Sequence, residues 1–206
     1  MEEIWNLLRQ GGPLMVPIGL CSIISMAVII QKALELRHSR IFPGPVGRWV
    51  DKAGLQEGVP DSRPFRSPAG ELIRHIFTNR ERPFAENHIS TQSFGQQINL
   101  DLQRGLRTLE IITTVAPLLG LAGTIQGLIV LFESVESSAA MGNSELAKGI
   151  GIALMTTFAG LLVSIPSVIG WHIFHRKVEV ISASLEAMSD KLLARIYGST
   201  RPKPRD

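Results

Sequence analysis

The chain carries a single cysteine, Cys21, among 206 residues. An internal disulfide is therefore excluded, and so is any metal site that needs paired thiolates. Cys21 reads as a small apolar packing residue inside a hydrophobic run. Charge is scarce too, at 19% Asp, Glu, Lys and Arg, where a soluble domain usually holds about 25%. No nucleophile–base constellation, phosphate loop or metal-ligand cluster is spaced along the chain. We therefore expect no enzymatic activity, no catalytic residue, no metal and no cofactor. His172 and His175 sit at i and i+3, but no third ligand lies near them, and beside Trp171 they read as interfacial residues. No basic helix is interleaved with aromatics, so nucleic acid is not an expected partner.

The apolar residues, 45% of the chain, are concentrated rather than spread. Three runs contain no Asp, Glu, Lys or Arg: Leu14 to Ile30, Ile111 to Phe132 and Gly149 to Phe174. Each can cross roughly 30 Å of hydrocarbon as a helix. A soluble core helix still needs a polar face, and a spanning segment must satisfy its backbone internally. The expected fold is all-α: an integral membrane protein with three transmembrane helices, two of them extended into a cytoplasmic helical bundle. Glu2, Glu3 and a lone Arg9 precede the first run, so it reads as an uncleaved anchor rather than a signal peptide.

Topology follows from the cations. Of all Lys and Arg residues, only Arg9 and Lys148 fall outside the segment between the first two runs and the tail after the third. The positive-inside rule places that segment and the tail in the cytoplasm. Glu133, Glu136 and Glu145 make the short loop on the other side acidic. The expected plan is an outer amphipathic segment over 1–12 and a first span over 13–35. Cytoplasmic loop and helices follow over 36–108, then a second span over 109–132, a short periplasmic loop over 133–147 and a third span over 148–175. A cytoplasmic helix and disordered basic tail complete the chain over 176–206.

Within the 36–108 segment, Pro43 to Pro68 reads as loop with short helical pieces. Leu72, Ile73, Ile76 and Phe77 then recur at helical spacing. Phe94, Ile98, Leu102, Leu106 and Leu109 form a second amphipathic stretch, which is expected to run on into the second span with only Gly105 as a breaker. After the third span, Val178, Ile181, Leu185, Met188 and Leu192 repeat at steps of three and four. That is a packing seam, within or between subunits.

The second and third runs differ in texture from the first. Ala116, Gly120 and Thr124 recur every four residues, with Gly123 and Gly127 beside them. Gly149, Ala153, Thr156, Thr157, Gly160, Ser164 and Ser167 fall along one side of the third run. Small residues at this spacing let helix backbones approach closely, and the glycines read first as packing positions. Thr124 and Thr157 lie near mid-span and would face each other in an antiparallel hairpin. A hydroxyl both donates and accepts, so it can line a hydrated path, but it cannot titrate near neutral pH. Pro117 and Pro166 free backbone carbonyls within these spans.

At APLLGLAGTIQGLIVLF (Ala116 to Phe132) and GIGIALMTTFAGLLVSIP (Gly149 to Pro166) the chain resembles the MotA/TolQ/ExbB proton-channel family. QKALELRHSRIFP, after the first run, is a weaker match. The resemblance implies a homo-oligomeric ring, typically a pentamer, in the bacterial inner membrane, with the N-terminus periplasmic and the C-terminus cytoplasmic. It implies a single-span ExbD/TolR-like partner with a membrane-embedded aspartate and a TonB/TolA-like energy transducer. Thr124 and Thr157 match the threonines that line the proton pathway, with Thr156 adjacent. Ala116, Gly120, Gly123, Gly127, Ala153, Gly160, Ser164 and Ser167 become helix-packing or pore-side positions. ExbB-like members often carry a glutamate where this sequence has Ile152, so the acid is expected from the partner. A charge crossing the membrane gains about 2.3 kcal/mol per 100 mV, and uncharged spans cannot harvest that alone. The rivals are a non-conducting membrane scaffold and a partner-independent small-solute channel or transporter.

Overall fold

The computed structural model describes residues 12–51, 59–60, 62–137 and 143–198. The outer segment expected over 1–12, the centre of the loop over 133–147 and the basic tail from 199 onward lie essentially outside the described residues. Every regular element described is helical. In order they are α1 (Met15–Glu35), α2 (His38–Ile41), α3 (Gly44–Asp51), a 3-10 turn (Arg63–Arg66), α4 (Pro68–Thr78), α5 (Phe84–Gln103), α6 (Leu106–Ser137) and α7 (Asn143–Gly198).

Three of these are long and apolar enough to cross a membrane: Met15–Glu35, Leu106–Glu133 and the part of α7 that begins at Gly149. At about 1.5 Å per residue, the 21 residues of α1 rise roughly 31 Å, the thickness of the hydrocarbon.

The chain divides into two compact units. One holds Met1–Gln31 with Gly105–Ile173, and the other holds Lys32–Arg104 with Phe174–Asp206. The first unit exposes large apolar side chains on all three helices, among them Ile23 on α1, Leu118 and Ile125 on α6, and Phe158 and Leu162 on α7. Water would not tolerate that much contiguous apolar surface, but hydrocarbon does. Its interior sets small and hydroxyl residues, such as Ala116, Thr156 and Ser167, among a few buried aliphatics such as Ile18, Leu109 and Ile112. Ser25 of α1 and Ser167 of α7 share a hydrogen bond of 2.6 Å, and Gly170 seats Ile29 of α1 and Leu109 of α6 against α7.

The second unit has a conventional hydrophobic core. Phe65, Leu72, Ile73 and Ile76 are buried together with Val178, Ile181, Leu185 and Leu192. The seam on α7 is thus covered within the chain, with Met188 half-buried. Trp49 packs edge-on to Phe65 and Phe77 at ring distances of 5.9 and 6.0 Å. Asn87 is fully buried and donates to the Ile76 carbonyl (3.2 Å) and to Tyr197 Oη (3.0 Å), and that hydroxyl donates to the Arg82 carbonyl. Arg195 donates to the Val50 carbonyl. His75 stacks flat on Phe94 with ring centroids 4.5 Å apart and contacts Ser90 Oγ through Nε2 at 2.8 Å. Burial, helped by the charge of Arg82, holds its pKa below the ordinary 6.5, against the opposing pull of Ser90.

One expectation is corrected. The amphipathic stretch after Pro83 does not continue as one helix into the second span. It ends with α5 at Gln103, and α6 starts afresh at Leu106. Between them Gly105 takes φ +82°, a left-handed conformation outside any right-handed helix. Its carbonyl accepts from Leu109 N (3.2 Å) and opens the new helix. The broken end of α5 is not left bare: Lys32, only 1% exposed, donates to the Leu102 carbonyl (3.0 Å) and to Glu35 Oε2 (2.8 Å). A cation at a helix C-terminus satisfies an orphan carbonyl and complements the dipole.

Candidate functional site: the hairpin of the second and third spans

α6 and α7 meet as an antiparallel pair whose register is fixed by its smallest residues. A methyl group added at Gly160 would lie 2.5 Å from the Ala116 carbonyl oxygen, and one at Gly120 would lie 2.9 Å from the backbone of Thr156 and Thr157. Further along, Gly123 abuts the Thr156 side chain, Gly127 faces Ala153, and Gly149 meets Leu131. Only the absence of a side chain lets the backbones come this close. Ala116, Ala153 and Thr156 are buried in the contact.

The hydroxyls are committed to backbone carbonyls. Thr157 Oγ1 donates across the hairpin to the Gly120 carbonyl at 3.1 Å. Thr156 donates to Ala153 on its own helix (2.6 Å), and Thr124 to Leu121 (2.7 Å). Thr124 and Thr157 are therefore not bonded to each other. Thr157 lies level with Gly120, one helical turn from Thr124, because the Gly160–Ala116 approach sets the register. Thr124 and Thr157 are half-buried, whereas Thr156 is closed off. Ile152 lies in α7, with its side chain outside those described.

Ser164 has a distinct job. Its hydroxyl donates to the Thr113 carbonyl at 2.7 Å. That is the carbonyl four residues before Pro117, which has no N–H to give it. Ser167 donates to the Val163 carbonyl (2.7 Å) besides pairing with Ser25.

Sequence reasoning passed over Ser25, which ties the first span to the third, and Lys32, which closes the end of α5. A lone serine in an apolar helix usually bonds its own backbone, so Ser25 carried no signal. His172 lies against the Trp171 ring at 4.8 Å, and His175 Nε2 lies 3.6 Å from Glu179 Oε1.

Chemically, the hairpin offers a close-packed wall of glycines and hydroxyls with no carboxylate or ammonium group in it. It can orient and border a proton carrier. It cannot be one near neutral pH. Fold and site together define a polytopic α-helical membrane protein built around a small-residue hairpin.

Comparison with known proteins goes further. Residues 66–187 match the MotA/TolQ/ExbB proton channel family, and the chain belongs to that family. It is 30% identical over 200 residues to the biopolymer transport protein exbB1 of Vibrio cholerae, covering 90% of this chain and 85% of that one. With the biopolymer transport protein ExbB of Neisseria meningitidis serogroup A it shares 24% over 207 residues, 91% and 94% of the two chains. With ExbB of Helicobacter pylori it shares 36% over 91 residues, 44% of this chain and 63% of the other. The match spans both units, so the relationship extends beyond the hairpin.

Proposed function

We propose that this chain is the ring-forming subunit of a proton-driven motor of the ExbB/TolQ type in a bacterial inner membrane. Several copies surround the single membrane helices of an ExbD/TolR-like partner, whose intramembrane aspartate carries the proton. The relative motion reaches the envelope through a TonB/TolA-like transducer. Positive charge on residues 36–108 and 176–206 supports a cytoplasmic placement for both, with the N-terminus periplasmic.

The observation that carries this reading is the hairpin itself. Its spans are long, uncharged and paved with glycines and threonines, and less than a third of each apolar window is buried within the chain. Such a subunit has surface to share with copies of itself, with a partner helix and with lipid. It has hydroxyls to border a proton path but no acid of its own, so the potential can be harvested only through a group from another chain.

Thr124 and Thr157 are the pathway residues in this proposal, because both keep partly open hydroxyls. Thr156, enclosed against Gly123, is a packing residue beside them. The scaffold reading draws its support from the same bonds, since each threonine proton already rests on a carbonyl. The two readings separate on Thr124→Val. This change removes a bond within one turn and leaves the hairpin contact intact. A motor subunit should keep its assembly with the partner and lose proton-driven work. Full retention of that work would favour the scaffold.

A further inference from the structure

Inside the second unit, a chain of hydrogen bonds joins the last turn of α4, the start of α5 and the end of α7. Asn87 on α5 donates to the Ile76 carbonyl and to Tyr197 Oη, and Tyr197 donates to the Arg82 carbonyl in the turn between α4 and α5. His75, next to Ile76, adds a second link to α5. Its ring lies parallel to Phe94, within 1°, and meets Ser90 Oγ at 2.8 Å.

The hydrogen bonds also assign the ring's proton. Asn79 Nδ2 donates to the His75 carbonyl at 3.0 Å, which fixes the way its amide points. The same nitrogen lies 3.4 Å from His75 Nε2. A ring nitrogen that faces an N–H is an acceptor, so the neutral ring carries its proton on Nδ1. Ser90 fits this pattern, because a hydroxyl can donate to Nε2 or accept from it. A second proton, placed on Nε2, would point at the Asn79 N–H.

The surrounding charges do not rescue the cation. Arg82 in the turn opposes it, and α5 sets the neutral Ser90 and Phe94 against the ring. On α4 itself Glu71 and Arg74 are exposed, and His75 makes no ion pair among the described residues. The Ser90 backbone and the face of Phe94 favour a charged ring. Burial and Arg82 prevail, and the pKa lies below 6.5.

We propose that His75 is an acid-sensing latch: its neutral ring holds α4 against α5, and its protonation releases that junction. The latch is closed above about 6.5 and opens as pH falls through the lowered folded value. Release frees the Asn79 end of α4 and the Ser90–Phe94 stretch of α5, the groups that the ring touches. In the proposed function residues 36–108 face the cytoplasm, the compartment that receives the protons. The latch then reads the acid that the motor delivers, a meaning that rests on that reading, whereas the latch itself does not.

The test uses the full chain in lipid nanodiscs, labelled with 15N at histidine. At pH 7.5 the His75 ring, identified by its loss in His75→Gln, should show the Nδ1–H tautomer. Deuterium uptake over residues 75–94, corrected for the pH dependence of intrinsic exchange, should rise several-fold on going from pH 7.5 to pH 5.5. His75→Gln, which does not titrate, should take up deuterium equally at the two pH values. Asn79→Asp sets a carboxylate opposite Nε2, while the backbone N–H of residue 79 still serves the His75 carbonyl. It should raise the His75 pKa above 6.5 and abolish the rise in uptake. An Nε2–H tautomer at pH 7.5 overturns the inference, as does uptake that stays constant in the unaltered chain. So does a rise that persists in His75→Gln, or an Asn79→Asp variant that opens at the same pH as its parent. None of these readouts depends on proton flux, so a failure of the motor reading leaves them unchanged.

Discussion

Ser164 Oγ donates at 2.7 Å to the carbonyl of Thr113, across the hairpin and one turn before Pro117. Proline is tolerated inside a membrane helix only where something re-satisfies the backbone group it frees. Here the third span supplies that donor to the second. The helix that approaches closely enough to exclude side chains at Gly120 and Gly160 thus also repairs the backbone of its neighbour.

Ser164→Ala should leave the half-buried Thr113 carbonyl without this donor, at a cost of about 1 kcal/mol. Adding Pro117→Ala returns an N–H to that carbonyl and should recover much of the loss. Thermal unfolding in detergent of the two single variants and the double variant reads this directly. If the two changes simply add, the carbonyl is not what Ser164 serves.

Gly160→Ala places a methyl on the Ala116 carbonyl and should lower stability by about 1–3 kcal/mol through overpacking. Gly151→Ala, on the same helix with nothing within 4 Å of the added carbon, should be close to neutral. Equal melting temperatures for the two variants would show that the hairpin does not pack at Gly160.

Gly105→Ala must put a side chain at φ +82°, a penalty of about 1–2 kcal/mol. It would also favour the continuous helix that the structure lacks. Unfolding in urea, with helical content followed in parallel, should show lower stability without loss of the spans. An increase in stability would mean that the break is not native.

His75 gives the second unit a pH signature. Its folded pKa lies below 6.5, so between the two values the unfolded chain binds more protons than the folded one. This contribution to stability is complete above about 6.5 and declines as pH falls toward the lowered folded value. His75→Phe, which keeps a ring against Phe94, should flatten the decline in a melting series from pH 7 to pH 5. An unchanged slope would assign the dependence to other groups.

The three spans were legible because uncharged runs of this length have no other stable state. The seam through Val178, Ile181, Leu185 and Leu192 was legible because its period matches a helix face. The small residues of the hairpin were legible as a set, but their register was not. Pattern alone set Thr124 opposite Thr157, whereas the approach of Gly160 to Ala116 sets Thr157 against Gly120. Gly105 could not be read as a break, because an isolated glycine in an amphipathic pattern fits both a continued and an interrupted helix. Lys32 looked like one more cytoplasmic cation, and only the end of α5 gives it a buried role.

The most direct test of the account is proton flux into liposomes carrying a pH-sensitive dye, under an imposed membrane potential. The chain would be reconstituted alone, with the Asp-bearing single-span partner proposed for it, and with that protein's intramembrane aspartate changed to asparagine. The account predicts flux only for the unaltered pair, reduced by Thr124→Val. Flux through the chain alone at the same rate, or a stable pair that never conducts, would contradict it.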